Sequence, residues 1–248
     1  MSTHVQVIDG RKTFIPLENN PEVLSHLCHN LGVAPTIDFH DVVSTAPDML
    51  TEIPRPVHAI ILLCDQSIYY AARSAVEPGI EEYRGFGPEP PVLWVKQTIR
   101  HSCGLMALLH CVLNLEDGRY ITPGSELDAF QKCVAGLMPT QRAQLLYEST
   151  FLEEAHMDAA LRGCSVVPSA QDECRFHFVA FVKKDGTVWE LNGGMNGPFH
   201  RGTLGDEEDL LCEKGLKLTV KDFLDAADRE VHQGMSIVAL TERHEPTQ

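Results

Sequence analysis

The chain has 248 residues, 44% of them hydrophobic and 22% charged, with 35 acidic against 20 basic side chains and a net charge of −15. This is an ordinary globular composition with enough chain for a large core. The acidity argues against a nucleic-acid partner, whose phosphates it would repel. It suits a basic protein partner, although solubility alone accounts for it as well. The opening MSTHVQVIDGRKTF has no apolar stretch of signal-peptide length. The strongest apolar run, Ala59 to Cys64, is too short to span a bilayer, so a soluble, cytoplasmic protein is expected. Eight cysteines are scattered without a C-x-x-C pair, so no structural zinc is expected despite 12 histidines, and no cofactor is implied. In a reducing compartment most of these thiols are expected to be small core residues.

In chain order, Asn20-Pro21-Glu22 predicts a helix start: a capping side chain, proline at the first helical position, then an acid in the first turn. Val23, Leu24, Leu27 and Leu31 follow at helical spacing, and Gly32 ends the helix. Ile37 to Val42 reads as a short strand. Val57 to Leu63, apolar at nearly every position, reads as a central one. Residues 73–91, rich in glycine and proline, form a loop. Cys103 to Leu115 is apolar almost all round, which marks a helix buried in the middle of the domain. Helices are expected at about 125–136, 140–149 and 150–161, then a loop over 163–174. The strands Phe176 to Lys183 and Thr187 to Leu191 flank Asp185-Gly186, a strong hairpin signal. A helix near 206–228, broken at Gly215, and a strand from Met235 to Thr241 complete the pattern. A single mixed α+β domain over residues 1–248 is the economical reading.

Four residues carry candidate chemistry. Cys103 begins the buried helix, with Ser102 as its expected cap. Backbone N–H groups and the helix dipole there favour a thiolate and should lower the thiol pKa, and Gly104 leaves room for a substrate to reach the sulfur. The alternative is one more inert core cysteine. His177 lies on the first hairpin strand. If Asp185-Gly186 is a two-residue type I′ turn, Lys184 faces Thr187 and Asn192 faces Val179. His177 and Asn192 are then diagonal neighbours on one face. Asn192 can fix the imidazole's orientation, completing a nucleophile, base and orienter. A half-exposed histidine and a turn-forming Asn192-Gly193-Gly194 explain the same residues without catalysis. Gln97, six residues before Cys103, is a candidate oxyanion donor together with the Cys103 N–H.

These segments resemble the ubiquitin C-terminal hydrolases, papain-like thiol peptidases. KQTIRHSCGLMALLHCVLN resembles that family's nucleophile segment, with Gln97 and Cys103 at its spacing. HFVAFVKKDGTVWELNGG resembles its second signature, with His177 leading position 192 by fifteen. FIPLENNPEVLSHLCHNLGV and GPFHRG extend the similarity over residues 13–241. The resemblance implies a papain-like fold with helices around a mainly antiparallel central sheet. It implies a monomeric deubiquitinase with a Cys103-His177-Asn192 triad and Gln97, taking the ubiquitin C-terminal tail and needing no metal. It also implies a loop crossing the active site over Leu161 to Arg175, which would favour small adducts.

The sequence departs from the family where Asn192 replaces the usual Asp, giving the imidazolium less electrostatic support. Arg100 and His101 replace what is usually a small residue and Asn. Two further readings stay open: a ubiquitin-binding homologue with weakened turnover, and a hydrolase for another ubiquitin-like modifier.

Overall fold

A computed structural model describes residues 5–86, 91–165, 174–227 and 234–243. The chain opens on a hairpin, β1 (Gln6–Ile8) and β2 (Arg11–Thr13), turned by Asp9-Gly10 with both residues at positive φ. Helix α1 (Pro21–Asn30) starts as its sequence predicts, with Asn20 Oδ1 accepting the Glu22 N–H at 2.8 Å. Strand β3 (Ile37–Asp41), the short α2 (Pro47–Leu50), β4 (Val57–Asp65) and α3 (Gln66–Arg73) follow. Helix α4 (Cys103–Asn114) buries all of its residues. Then come α5 (Glu126–Ala135), α6 (Pro139–Glu148), α7 (Thr150–Ala160), β5 (Phe176–Lys184), β6 (Thr187–Leu191), β7 (Phe199–Thr203), α8 (Glu213–Leu218), α9 (Lys221–Ala227) and β8 (Met235–Glu242).

The six longer strands pair antiparallel in the order β3-β8-β4-β5-β6-β7. The architecture is α+β, a mainly antiparallel sheet between helices, as the sequence implies. Successive side chains of a strand face opposite sides of the sheet, and each side carries its own core. Ala59, Ile61, Phe178, Ala180 and Val182 pack under α1 and α4. Ile60, Leu62, Val179 and Phe181 pack with Ile68 and Tyr69 of α3 and Phe223 of α9. Because both faces are covered, β4 shows a nearly continuous apolar run rather than alternation. Each fully buried Leu, Ile or Phe here contributes roughly 1.5–3 kcal/mol.

The hairpin register is the predicted one. Lys184 pairs with Thr187 and Ala180 with Leu191, and Asp185 and Gly186 take φ of 49° and 71°, as a type I′ turn requires.

Several expectations need correction. Helix α3 was not foreseen, and Arg73, placed in a loop by the sequence, ends it. The C-terminal helical stretch is two helices, and the break falls at Thr219 rather than Gly215. Gly215 lies inside α8, where a Cβ would sit only 2.5 Å from the Asp209 carbonyl oxygen. Four of the eight free thiols are buried (Cys28, Cys64, Cys103 and Cys111), two are half-buried and two exposed, so core cysteines are half rather than most. Residues 166–173 of the predicted loop over 163–174, and of the expected crossing stretch, lie outside the described residues.

Candidate active site

Cys103 is the first residue of α4 and is 7% exposed. Ser102 does not cap the helix as expected. It is fully buried, and its hydroxyl turns back to donate to the Ile99 carbonyl at 2.9 Å. The backbone N–H groups of Cys103, Gly104 and Phe178 instead favour the thiolate. Burial outweighs these donors and pushes the thiol up to about 11, the reverse of the lowered value expected from the helix terminus alone. Nor does Gly104 leave an open approach. A Cβ there would lie 2.9 Å from Leu17 Cδ1 and 3.0 Å from Leu17 Cβ, so the missing side chain admits Leu17 of the N-terminal segment.

His177 lies on β5 immediately before Phe178, opposite Cys64 of β4. Its ring meets the Tyr69 ring edge-on at 5.0 Å between centroids. Burial pushes the imidazole down, and a hydrogen bond with Asn192 works the other way. Its Nε2 is buried with no hydrogen-bond partner. Asn192, 2% exposed, accepts the Gly194 N–H on Oδ1 at 2.8 Å and donates from Nδ2 to Tyr69 Oη at 2.9 Å. The structure therefore brings His177 and Asn192 together, as the extrapolated register predicts, and sets Phe178 N–H against Cys103.

Gln97 is half-buried. Its N–H donates to the Gly193 carbonyl at 2.8 Å, and its side-chain amide donates to Ile99 O at 3.1 Å. Gln97 and Ser102 thus converge on one carbonyl and fix the turn leading into Cys103. A Cβ on Gly193 would fall 2.9 Å from Gln97 Cβ and 3.0 Å from Gln97 N, so glycine permits the close approach of these two loops. Arg100 and His101 engage the N-terminal segment. Arg100 N–H donates to Lys12 O and its carbonyl accepts from Phe14 N–H, both at 3.0 Å, while His101 turns with φ of 62°. Burial and the neighbouring Arg100 charge push the His101 imidazole down.

Sequence reasoning missed the residues that hold this frame. On α4, Asn114 pairs with both the N–H and the carbonyl of Leu93, at 2.6 and 2.8 Å, and His110 Nε2 accepts the Val95 N–H at 3.1 Å. Trp94 Nε1 donates to Asn192 O at 3.0 Å. The buried Arg142 guanidinium donates to the carbonyls of Trp94 and Val134. Two polar residues four apart on an otherwise apolar helix were the available signal for His110 and Asn114, since both lie on one face and must find buried partners. Among the described residues no three His, Cys, Asp or Glu side chains gather as a metal-binding group, and no helix is long and apolar enough to cross a membrane.

A buried cysteine at the start of a central helix, packed beside a strand that carries a half-buried histidine, is the arrangement a cysteine-type hydrolase would use. The profile of the family described as ubiquitin carboxyl-terminal hydrolase, family 1, matches residues 14–225. A ubiquitin carboxyl-terminal hydrolase of Aplysia californica is 33% identical over 90% of this chain and 99% of its own. Isozyme L1 of Monodelphis domestica is 34% identical over 91% and 96%. Among solved structures, the catalytic domain of Trichinella spiralis UCH37 bound to ubiquitin vinyl methyl ester has the same fold. It superposes with a TM-score of 0.70 at 18% identity, covering 94% of this chain and 97% of that one. The chain belongs to the ubiquitin carboxyl-terminal hydrolase family and is a thiol-dependent ubiquitinyl hydrolase by class.

Proposed function

We propose that this protein hydrolyses small amides, esters and thioesters at the C-terminal glycine of ubiquitin, with Cys103 as nucleophile, His177 as base, Asn192 as its orienter and Gln97 as oxyanion donor. The observation that carries this reading is the sulfur at the start of α4, where backbone N–H groups favour the thiolate, packed against β5, whose end presents an unpartnered, buried imidazole nitrogen. His177 takes the Cys103 proton. The thiolate adds to the glycine carbonyl carbon, and the negative oxygen is held by N–H donors. Collapse breaks the bond to the leaving group, which takes the proton from His177. His177 then deprotonates water, which hydrolyses the thioester and releases the ubiquitin carboxylate.

The preference for small adducts is carried over from the family resemblance for the stretch 161–175, whose described ends are tied down. Glu18 accepts the Ser165 N–H at 3.0 Å. Arg175 pairs with Asp65 at 2.9 Å, and Gln66 donates to the Cys174 carbonyl at 3.1 Å. Two cores flanking one sheet support a single catalytic domain, which we take to act as a monomer, and free thiols fit a cytoplasmic location.

A second reading, a ubiquitin binder with weak turnover, is favoured by one feature. Burial raises the thiol and lowers the imidazole, which opposes a resting ion pair. A fluorogenic ubiquitin C-terminal amide separates the two. Hydrolysis abolished by Cys103→Ala and by His177→Ala supports the enzyme, whereas binding without turnover above the Cys103→Ala control supports the binder. Labelling by an activated probe of another modifier, but not of ubiquitin, would overturn the substrate.

A further inference from the structure

We propose that Tyr69 is a positioning residue that, together with the Gly194 N–H, holds the Asn192 amide with its oxygen toward His177. This rests on the reading of His177 as base and Asn192 as its orienter. The two ends of an amide are chemically different, and only the oxygen can accept the imidazole N–H that stabilises an imidazolium. Gly194 N–H can only donate, so the atom it meets at 2.8 Å must be the Asn192 oxygen. The Nδ2 group is thereby turned toward Tyr69, whose hydroxyl oxygen accepts from it at 2.9 Å. With Asn192 buried, that donor would otherwise be left unpaired, and rotation of the amide would present N–H to the imidazole. Tyr69 is itself 5% exposed, and burial raises its phenol far enough to keep it neutral, so it acts as hydroxyl and not as phenolate.

The helix carrying Tyr69 is fixed in the right register. Asp65 caps α3 through the Ser67 N–H at 2.9 Å. One turn beyond Tyr69, Arg73 meets Glu190 with three N–O contacts of 2.8–3.0 Å. Residues four apart on a helix are separated by about 6 Å, and residues two apart on a strand by about 6.6 Å. The pairs Tyr69–Asn192 and Arg73–Glu190 therefore match as two rungs between α3 and the end of β6. The Tyr69 ring edge against His177 closes the triangle. A tyrosine hydroxyl can also donate, so the same residue would serve a carboxylate at position 192, where both oxygens accept and orientation no longer matters.

That difference supplies the test, run on full-length protein with a fluorogenic ubiquitin amide. Tyr69→Phe keeps the ring and removes one oxygen. We expect kcat to fall about tenfold with KM within about twofold, and the acid limb of kcat/KM, where the imidazole gains the proton that stops it acting as base, to move to lower pH. In an Asn192→Asp background the same change should alter kcat by less than about twofold, because a carboxylate has no wrong end. An NMR titration of the His177 ring in Cys103→Ala protein should show a lower imidazole pKa when Tyr69→Phe is added. Equal losses of kcat in both backgrounds, or an unmoved His177 titration, would overturn the assignment. If Asn192→Ala is slow while Tyr69→Phe is normal, the Tyr69 role fails and the triad reading stands. If Asn192→Ala is normal, the orienter reading fails and Tyr69 falls with it.

Discussion

The substitution Arg73→Met tests the ion network that locks α3 to β6. Glu190 is fully buried, and its carboxylate is held by Arg73 at 2.8–3.0 Å, with Arg201 at 3.8 Å. Arg73 also stacks over Phe223, 4.2 Å from the ring centroid, and meets Asp222 at 3.1 Å. Methionine keeps most of the apolar volume but leaves a buried carboxylate with one distant cation. Breaking such a pair costs about 3–5 kcal/mol, and the lost cation–π contact adds about 1 kcal/mol. The retained Arg201 offsets part of this, so a net loss of about 4 kcal/mol is expected. With a urea m-value of about 3 kcal/mol/M, the midpoint should fall by about 1.3 M. Replacing Glu190 as well, in Arg73→Met/Glu190→Gln, removes the uncompensated charge and should recover at least about half of the loss. A midpoint shift below about 0.3 M for Arg73→Met, or a double variant as unstable as the sum of the singles, would refute the argument that charge burial drives the effect.

Two glycines should respond in opposite ways. Gly193→Ala forces a Cβ against Gln97 Cβ, Gln97 N and the Val95 carbonyl at 2.9–3.1 Å, so it should cost about 1–3 kcal/mol and reduce kcat/KM on a ubiquitin amide. Gly136→Ala, with no atom within 4 Å of the new Cβ, should leave activity unchanged. His156 provides a pH prediction. Its Nε2 bonds to Ile15 O at 2.8 Å, its Nδ1 is buried without a partner, and burial pushes the imidazole down to about 4. The unfolded chain binds this proton near pH 6.5, so the penalty is absent above that pH and grows as pH falls toward 4. At about 1.36 kcal/mol per unit it reaches ~3 kcal/mol near pH 4. Urea midpoints of the wild type and His156→Gln between pH 7 and 4 should converge as the pH falls, and parallel curves would contradict this.

The parts of the site that could be read from the chain are those governed by short spacing. The Asp185-Gly186 turn fixed the β5–β6 register and so the shared face of His177 and Asn192. The same logic would have found the β1–β2 hairpin, whose Asp9-Gly10 turn is the same dipeptide at the same positive φ. The unbroken apolar character of α4 placed Cys103 at the mouth of a buried helix. Helix α3 was hidden because the apolar run of β4 leads straight into it and its partner surface, on β6 and α9, is far away in sequence. The reading of Gly104 as open space failed for a similar reason, since the residue that fills it, Leu17, lies 87 positions earlier.

Sequence by itself determined the α+β class, the central strand and helix, and the hairpin register that puts His177 and Asn192 on one face, because turn chemistry and side-chain periodicity act over a few residues. Only the tertiary structure decided the protonation balance of Cys103 and His177, the direction of the Asn192 amide and the burial of Arg73 with Glu190. Those depend on which distant groups exclude water and which supply a hydrogen bond, and no local pattern encodes either.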